Sequence, residues 1–142
     1  MAFEWKERYS LQIPEIDEQH KNLFEIGSRA YEIALLKDDY DHYDEIMDII
    51  NELLDYTQYH FSYEEELMKK YGYAGLENQY NEHEFYIHKI RRLSGEKVDD
   101  NQQKAILDIL DFLSNWISSH ILISDRKYAN DFKERGLILD LQ

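Results

Sequence analysis

The chain of 142 residues contains no cysteine, which excludes disulfide bonds, thiolate chemistry and iron–sulfur clusters. Any bound metal must therefore be held by nitrogen and oxygen atoms. With one proline and five glycines, long helices can continue without a break. The opening, MAFEWKERYS, lacks the apolar core of a signal peptide, and no apolar run comes near the ~18 residues of a membrane span. We therefore expect a cytoplasmic protein.

Basic residues are also scarce, since 16 of them against 30 acidic residues give a net charge of −14. A field of this sign repels phosphate backbones and anionic lipid, so we expect neither nucleic acid nor a membrane surface as a partner. The chain does contain 43% hydrophobic and 14% aromatic residues, enough to bury a core and to argue against disorder. Its length favours a single domain over residues 1–142.

Apolar residues recur with a helical period in four segments of the chain. The predicted helices cover about residues 18–37, 42–71, 77–93 and 101–133. Asp17 and Asp41 are candidate N-caps of the first two helices, and Gly72 follows the second. Because the connections are short, neighbouring helices should be antiparallel. The sequence therefore predicts an all-α, up-down-up-down four-helix bundle, preceded by an irregular, partly aromatic arm over residues 1–16.

Polar side chains interrupt the apolar face of each predicted helix. They are His20 on the first helix, His60 and Glu64 on the second, Gln79 and His83 on the third, and His120 and Asp125 on the fourth. Because alternate helices run in opposite directions, these positions fall within a slab ~10–15 Å deep. A lone inward histidine is more often a hydrogen-bonded core residue. Burying all these groups together without a cation would cost several kcal/mol per charge, so the set predicts a metal site.

Asp125 is the irregular member of this set, because five residues after His120 correspond to about 140° around an ideal helix. It can join only if the helix is locally wide or unwound, or if its carboxylate reaches sideways. Imidazole and carboxylate ligands together suit iron, zinc or manganese. The candidate groups exceed what one ion can take. We therefore expect two ions, bridged by Glu64 and Asp125.

Four separated motifs carry a resemblance to the hemerythrin family in its bacterial single-domain form. The motifs are IPEIDEQHKNLF around His20, HFSYEE from His60, YGYAGLENQYNEH up to His83, and WISSHILISDRKY around His120 and Asp125. The resemblance implies two non-haem iron ions with an oxo or hydroxo bridge inside a four-helix bundle. It also implies ligand roles: His20 and His60 on the iron that is open to dioxygen, His83 and His120 on the other, and Glu64 and Asp125 as bridges.

The chain departs from the family pattern in the third motif, histidine–three residues–histidine, where Gln79 occupies the first position. Gln79 could bind through its side-chain oxygen, which is a weaker donor than imidazole, or it could hold a water in the vacant position. The nearest spare histidine is His88, which lies five residues past His83 and about 140° off the core face. We expect His88 at the surface, and likewise His42 at an acidic helix start.

These observations predict a diiron protein that binds dioxygen as a carrier, store, scavenger or sensor. Gln79 keeps open an alternative, a diiron oxidoreductase with peroxidase-like or O2-reducing activity. A metal buffer and an acidic interaction module without metal are further alternatives. Phe24, Trp116, Ile117 and Ile121 are candidates for an apolar dioxygen pocket, or for plain core packing. The expected partners of this monomer are dioxygen or peroxide and an unseen redox protein.

Overall fold

The structure, a computed structural model, describes residues 3–36, 42–95 and 102–137. A short 3-10 helix (Glu7–Tyr9) is followed by α1 (Pro14–Ala34), α2 (Tyr43–Lys70), α3 (Leu76–Gly95), α4 (Gln102–Ser119), a π-helical segment (His120–Asp125) and α5 (Arg126–Glu134). The last three follow one another directly and form one long rod. No strand occurs within the described ranges. The predicted all-α four-helix bundle is thereby confirmed.

The order of contacts between α1 and α2 shows that these helices run in opposite directions. Near the start of α1, Gln19 meets His60 close to the end of α2, and one turn later Asn22 meets Tyr56. Farther along α1, Arg29 pairs with Glu52. α1 also packs against α4, while α2 packs against α3. The starts of α1 and α3 thus lie beside the ends of α2 and of the last rod, as the up-down-up-down topology requires.

The first helix begins at Pro14, four residues before the predicted start at 18. Proline fits the first helical position because its fixed φ suits a helix and its missing N–H has no partner there. Asp17, the predicted N-cap, lies within the helix instead. Its carboxylate accepts hydrogen bonds from Ser10 Oγ at 2.6 Å and from the backbone N–H of Leu11 at 2.8 Å. Asp17 therefore fastens the arm to the bundle, and the arm is shorter than the predicted 1–16.

Two helices end at glycines, as the sequence predicted for Gly72. Gly72 has φ +63, its N–H donates to Lys69 O at 3.2 Å, and the N–H of Tyr73 donates to Met68 O at 2.9 Å. This is a Schellman ending, which needs the left-handed φ that glycine adopts without strain. Gly136 has φ +71 and ends α5. The predicted helix boundaries at 37 and 101, and the candidate cap Asp41, lie outside the described residues.

The arm crosses the bundle and packs on α1 and α4. The backbone N–H of Phe3 donates to Ser114 Oγ at 2.8 Å, and the ring of Tyr9 stacks on Phe24 with centroids 5.2 Å apart. The ring of Phe3 lies directly over Gly27, where any Cβ would overlap it. Gly27 is thus required because the ring of Phe3 leaves no room for a side chain at this position. The aromatic residues Phe3 and Tyr9 of the arm extend the core of the bundle.

The expectation that no apolar run approaches membrane length was wrong for one helix. The stretch Ile106–Glu134 contains an 18-residue window that is apolar enough, by length and composition, to cross a membrane. This helix also supplies Leu110, Leu113 and Ile117, which are buried in the bundle core. Core helices pass the same test, so we assign the apolar character of this stretch to its packing in the bundle.

Candidate metal centre

All seven predicted site residues lie in the core of the bundle, each no more than 5% exposed. Their origins are α1 for His20, α2 for His60 and Glu64, α3 for Gln79 and His83, and the π-helical segment for His120 and Asp125. The donor atoms of six of them form two overlapping groups. The bundle therefore brings inward polar side chains from α1, α2, α3 and the last rod to a common depth.

The π-helical segment explains how Asp125 reaches this place. A π-helix closes i→i+5 hydrogen bonds, so that residues five apart stack on one side. His120 and Asp125 are the first and last residues of the segment, and Asp125 Oδ1 lies 3.1 Å from His120 Nε2. Of the routes left open by the sequence, the structure shows the locally wide helix. Because π-helices are rare, the spacing by itself could not select it.

One group of donor atoms comes from His20, His60, Glu64 and Asp125, all within 4.8 Å of one another. His60 Nε2 lies 2.9 Å from Glu64 Oε1. His20 Nε2 lies 3.2 Å from Asp125 Oδ2 and 3.9 Å from Glu64 Oε2. We name this set the α1/α2 half of the centre.

A second group comes from His83 and His120 together with the same Glu64 and Asp125. The Nε2 atoms of His83 and His120 lie 3.1 Å apart, and His83 Nε2 is 3.7 Å from Glu64 Oε1. We name this set the α3/π half. Asp125 faces one half with each oxygen, because Oδ2 is beside His20 and Oδ1 is beside His120. The two carboxylates are thus shared between the halves, as two bridging ligands would be.

Gln79 belongs to the α3/π half. Its amide Nε2 donates to Asp125 Oδ1 at 3.1 Å, while its Oε1 is buried without a hydrogen-bond partner. The nitrogen of this amide is therefore committed to the shared carboxylate, and its oxygen stays available as a donor atom. An unpartnered buried oxygen can serve as a ligand or accept a hydrogen bond from water, so both predicted roles of Gln79 stay predictions.

Two imidazoles are oriented by partners that sequence reasoning missed. His60 Nδ1 donates to Gln19 Oε1 at 2.7 Å, and His83 Nδ1 donates to Glu65 Oε2, also at 2.7 Å. Because Nδ1 carries the proton in both rings, Nε2 presents its lone pair to the centre. Both partners stand next to a predicted ligand in the sequence, in EQH and in HFSYEE. Adjacency was the available signal, but helical geometry gave no reason to expect a neighbour to reach across to another helix.

Further side chains fix the positions of the site residues. The hydroxyl of Tyr128 donates to Glu64 Oε2 at 2.6 Å. The ring of Phe61 stacks on His83 with centroids 3.8 Å apart and an interplanar angle of 2°. Trp116 stacks on His120 at 4.6 Å and 12°. The ligand candidates are therefore held by hydrogen bonds and by aromatic planes, and Tyr128 and Phe61 were not foreseen.

The pKa values of the buried groups in this cluster favour a bound cation. Burial, together with the nearby Asp125, raises the pKa of Glu64 to about 7. Burial lowers the pKa of His60 to about 4, so that this imidazole is neutral. Burial also disfavours the charged form of His120, but the carboxylate of Asp125 prevails and raises the pKa of His120 to about 9. Without a metal ion, protons must occupy positions between these donor atoms.

Unpartnered buried atoms test whether the residues fit a metal pair. Among the described residues, His20 Nε2, Glu64 Oε1, Gln79 Oε1 and Asp125 Oδ2 have no hydrogen-bond partner. The 2.9 Å approach of His60 Nε2 to Glu64 Oε1 accordingly lacks hydrogen-bonding alignment. Buried polar atoms without partners are costly, and cations at this position would satisfy them. The nitrogen and oxygen donors also suit iron, so the residues fit a diiron centre.

The four predicted pocket residues are dispersed around the centre. Ile117 and Ile121 are buried, and Trp116 covers His120. Phe24 is buried beneath the arm against Tyr9. All four contribute to the core as the packing alternative required, and a dioxygen pocket formed by them stays a prediction.

The two remaining histidines lie away from the two donor groups. His88 is 74% exposed, with Nε2 3.8 Å from Glu84 Oε2. His42 is the residue before α2, and its Nδ1 lies 3.0 Å from Glu45 Oε1. His88 therefore lies at the surface as predicted, whereas His42 is only 16% exposed; that neither is a ligand stays a prediction.

Known proteins resemble this chain over most of its length. The family described as "Hemerythrin HHE cation binding domain" matches residues 11–130. The chain is 43% identical over 130 residues to a bacteriohemerythrin of Clostridium acetobutylicum, covering 90% of this chain and 99% of that protein. It is 30% identical over 131 residues to a bacteriohemerythrin of Pseudomonas aeruginosa, covering 89% and 78%. A hemerythrin of Themiste dyscrita is 30% identical over 115 residues, covering 80% and 79%.

Proposed function

Because this chain belongs to the hemerythrin family, we propose that it holds two non-haem iron ions in the bundle core and binds dioxygen there. The observation that carries this function is the pair of four-residue donor groups that share Glu64 and Asp125. Two ferrous ions held by these residues would supply the electrons needed to bind dioxygen. The protein supplies nitrogen and oxygen donors at fixed positions, from side chains that are each no more than 5% exposed.

The two halves offer different numbers of donors. Each half has two imidazoles and a share of both carboxylates, and the α3/π half adds the amide oxygen of Gln79. We therefore assign the position with room for dioxygen to the α1/α2 half, at His20 and His60. His83, His120 and Gln79 would hold the second ion.

The protein controls protons near the shared carboxylates through two donors. The hydroxyl of Tyr128 donates to Glu64, and burial keeps the pKa of Tyr128 well above its ordinary value. Tyr128 thus remains a donor at neutral pH. The amide of Gln79 donates to Asp125 in the same way. Both contacts reduce the negative charge that the carboxylates present to the centre.

The test of this function is a metal count combined with an optical spectrum. We expect two irons per chain after anaerobic loading with ferrous salt, a visible absorption change under dioxygen, and recovery of the first spectrum when dioxygen is removed. A chain that binds iron but shows no change under dioxygen would support the metal-buffer alternative. A folded chain that binds no iron would leave only a helical interaction module.

Gln79 favours a second candidate function, the reduction of peroxide. An amide oxygen is a weaker donor than the imidazole it replaces, so the second ion should exchange a ligand more readily. We expect Gln79→His to reduce peroxide turnover and to prolong the dioxygen-induced spectrum. The matched control is Tyr80→His, which adds an imidazole at a position that is 49% exposed. Equal turnover in both variants and the parent would remove the support for this candidate.

We take the protein to be a single-domain monomer of the cytoplasm that receives electrons from a separate redox protein. The net charge of −14 supports the absence of nucleic acid and anionic membrane partners, and it would suit a basic patch on a redox partner. Size-exclusion chromatography with light scattering tests the oligomeric state directly.

A further inference from the structure

The imidazoles of the two halves differ in the group that lies near Nδ1, on the side of the ring that faces away from the centre. In the α1/α2 half, His60 Nδ1 meets the neutral amide of Gln19, and His20 Nδ1 has no hydrogen-bond partner among the described residues. In the α3/π half, carboxylates stand behind both rings. Glu65 Oε2 is 2.7 Å from His83 Nδ1, and Glu82 Oε2 is 3.7 Å from His120 Nδ1. The carboxylates are thus confined to the half where Gln79 replaces an imidazole.

Glu65 is placed to act on His83 in a defined way. It projects from α2 and accepts the Nδ1 proton of a ring on α3, while the ring of Phe61 stacks flat on His83. The side chain of Glu65 is 24% exposed against 1% for His83, so water solvates the carboxylate on its outer side. The contact therefore combines a fixed orientation with a negative charge.

A charged acceptor behind an imidazole changes its strength as a ligand. When a carboxylate accepts the Nδ1–H, electron density at Nε2 rises and the ring becomes a more basic donor. A neutral amide fixes the same tautomer but adds no charge. Glu65 therefore increases the donor strength of His83 more than Gln19 increases that of His60.

We propose that Glu65 is a positioning residue that strengthens His83 as a donor to the second metal ion and so offsets the weaker donor Gln79. Glu82 has a smaller share in this role, because its 3.7 Å separation from His120 leaves no hydrogen bond. The consequence is an iron position that keeps its ion, and favours the ferric state, despite the missing histidine. This inference rests on the proposed diiron function.

The experiment uses the iron-loaded chain and separates charge from orientation. Glu65→Gln retains an oxygen that can accept the Nδ1–H but removes the charge. The matched control is Glu66→Gln, which removes the same charge from the exposed neighbour on α2. Gln19→Glu places a carboxylate behind His60 and tests the opposite half. For each variant we would measure ferrous-ion affinity by chelator competition, the reduction potential, and the Mössbauer spectrum of 57Fe.

In Glu65→Gln we expect roughly a 10- to 100-fold loss of affinity for one of the two irons, the range for removing such a partner. The reduction potential should rise, and the Mössbauer signal of one iron should change while the other stays. Gln19→Glu should lower the potential and alter the other signal.

The inference is overturned if Glu65→Gln binds both irons with the affinity and potential of Glu66→Gln. It is also overturned if Glu65→Gln and Gln19→Glu alter the same Mössbauer signal. A parent chain that does not take up two irons would instead contradict the proposed function, and that result is known from the metal count before any variant is compared.

Discussion

The two halves of the metal centre are built from the same kinds of residue but reach the same geometry by different means. In the α1/α2 half, His20, His60 and Glu64 project from regular α-helices, with His60 and Glu64 four residues apart. In the α3/π half, His120 and Asp125 are five residues apart and are aligned by a π-helical segment. Three members of the first half follow the ordinary helical period, whereas Asp125, which both halves share, is aligned by a local departure from it.

This difference shows where the site can tolerate change. A ligand on a regular helix is aligned by the packing of the whole helix, so its position is lost only if that helix moves. Asp125 is aligned by six residues of wider helix, and it is also a donor shared by both halves. Metal binding should therefore depend on the π-helical segment, which accommodates one more residue between His120 and Asp125 than an α-helix would.

The largest effect is expected from changing the length of the last rod. Deletion of Asn115, an exposed residue before the π-helical segment, would rotate His120 and every later residue by about 100° relative to α4. We expect loss of iron binding and a large loss of stability. Metal analysis and thermal unfolding would measure both.

Deletion of Ile123 is the matched comparison. Ile123 lies within the π-helical segment and is 59% exposed, so its side chain contributes little to the core. The deletion brings Asp125 to four residues after His120, which aligns them on an ordinary α-helix. We expect iron binding to be retained and the unfolding temperature to be unchanged or higher. Loss of iron in this variant equal to that on deleting Asn115 would show that the π geometry itself is required.

A smaller but still severe effect is expected from Glu64→Gln, which weakens the donor that both halves share. We expect iron uptake to fall below one ion per chain. The free protein should lose little stability, because the variant removes a buried carboxylate whose charge is poorly solvated. The stabilisation that iron gives the parent, about 2.7 kcal/mol at a concentration 100 times Kd, should disappear.

Unfolding of Glu64→Gln with and without ferrous iron measures this loss. Tyr128→Phe is its control, because it keeps the Glu64 carboxylate and removes only the 2.6 Å hydrogen bond from the hydroxyl. It should weaken iron binding roughly 10- to 100-fold without abolishing it. Full iron uptake by Glu64→Gln would contradict the view that the halves share this carboxylate.

The smallest effect is expected where the arm braces α1, the helix that carries His20. In Gly27→Ala the new Cβ overlaps the ring of Phe3, so the arm must move at a cost of about 1–3 kcal/mol. With Phe3→Ala already present, the same change should be neutral or stabilising by up to about 1 kcal/mol, since alanine favours a helix over glycine. A double-mutant cycle of unfolding free energies checks this change of sign. Equal costs in both backgrounds would show that Phe3 does not rest on Gly27.

Periodicity in the sequence was sufficient to predict the bundle and the inward side chains. His20, His60, Glu64, Gln79, His83 and His120 all lie on the core faces assigned to them. The start of α1 was misplaced because Asp17 has the chemistry of an N-cap but hydrogen-bonds Ser10 and Leu11 of the arm. The identity of a capping residue does not show which backbone it will meet.

The sequence by itself determined which residues face the core, because side-chain direction on a helix follows from position along the chain. It also determined that the donors are nitrogen and oxygen atoms, since there is no cysteine. The tertiary structure decided the alignment of Asp125 and the partner behind each imidazole, Gln19 for His60 and Glu65 for His83. The two partners depend on the relative height and rotation of neighbouring helices, which are set by the packing of the whole core. The alignment of Asp125 depends on the π-helical segment of the last rod, which the five-residue spacing alone does not select.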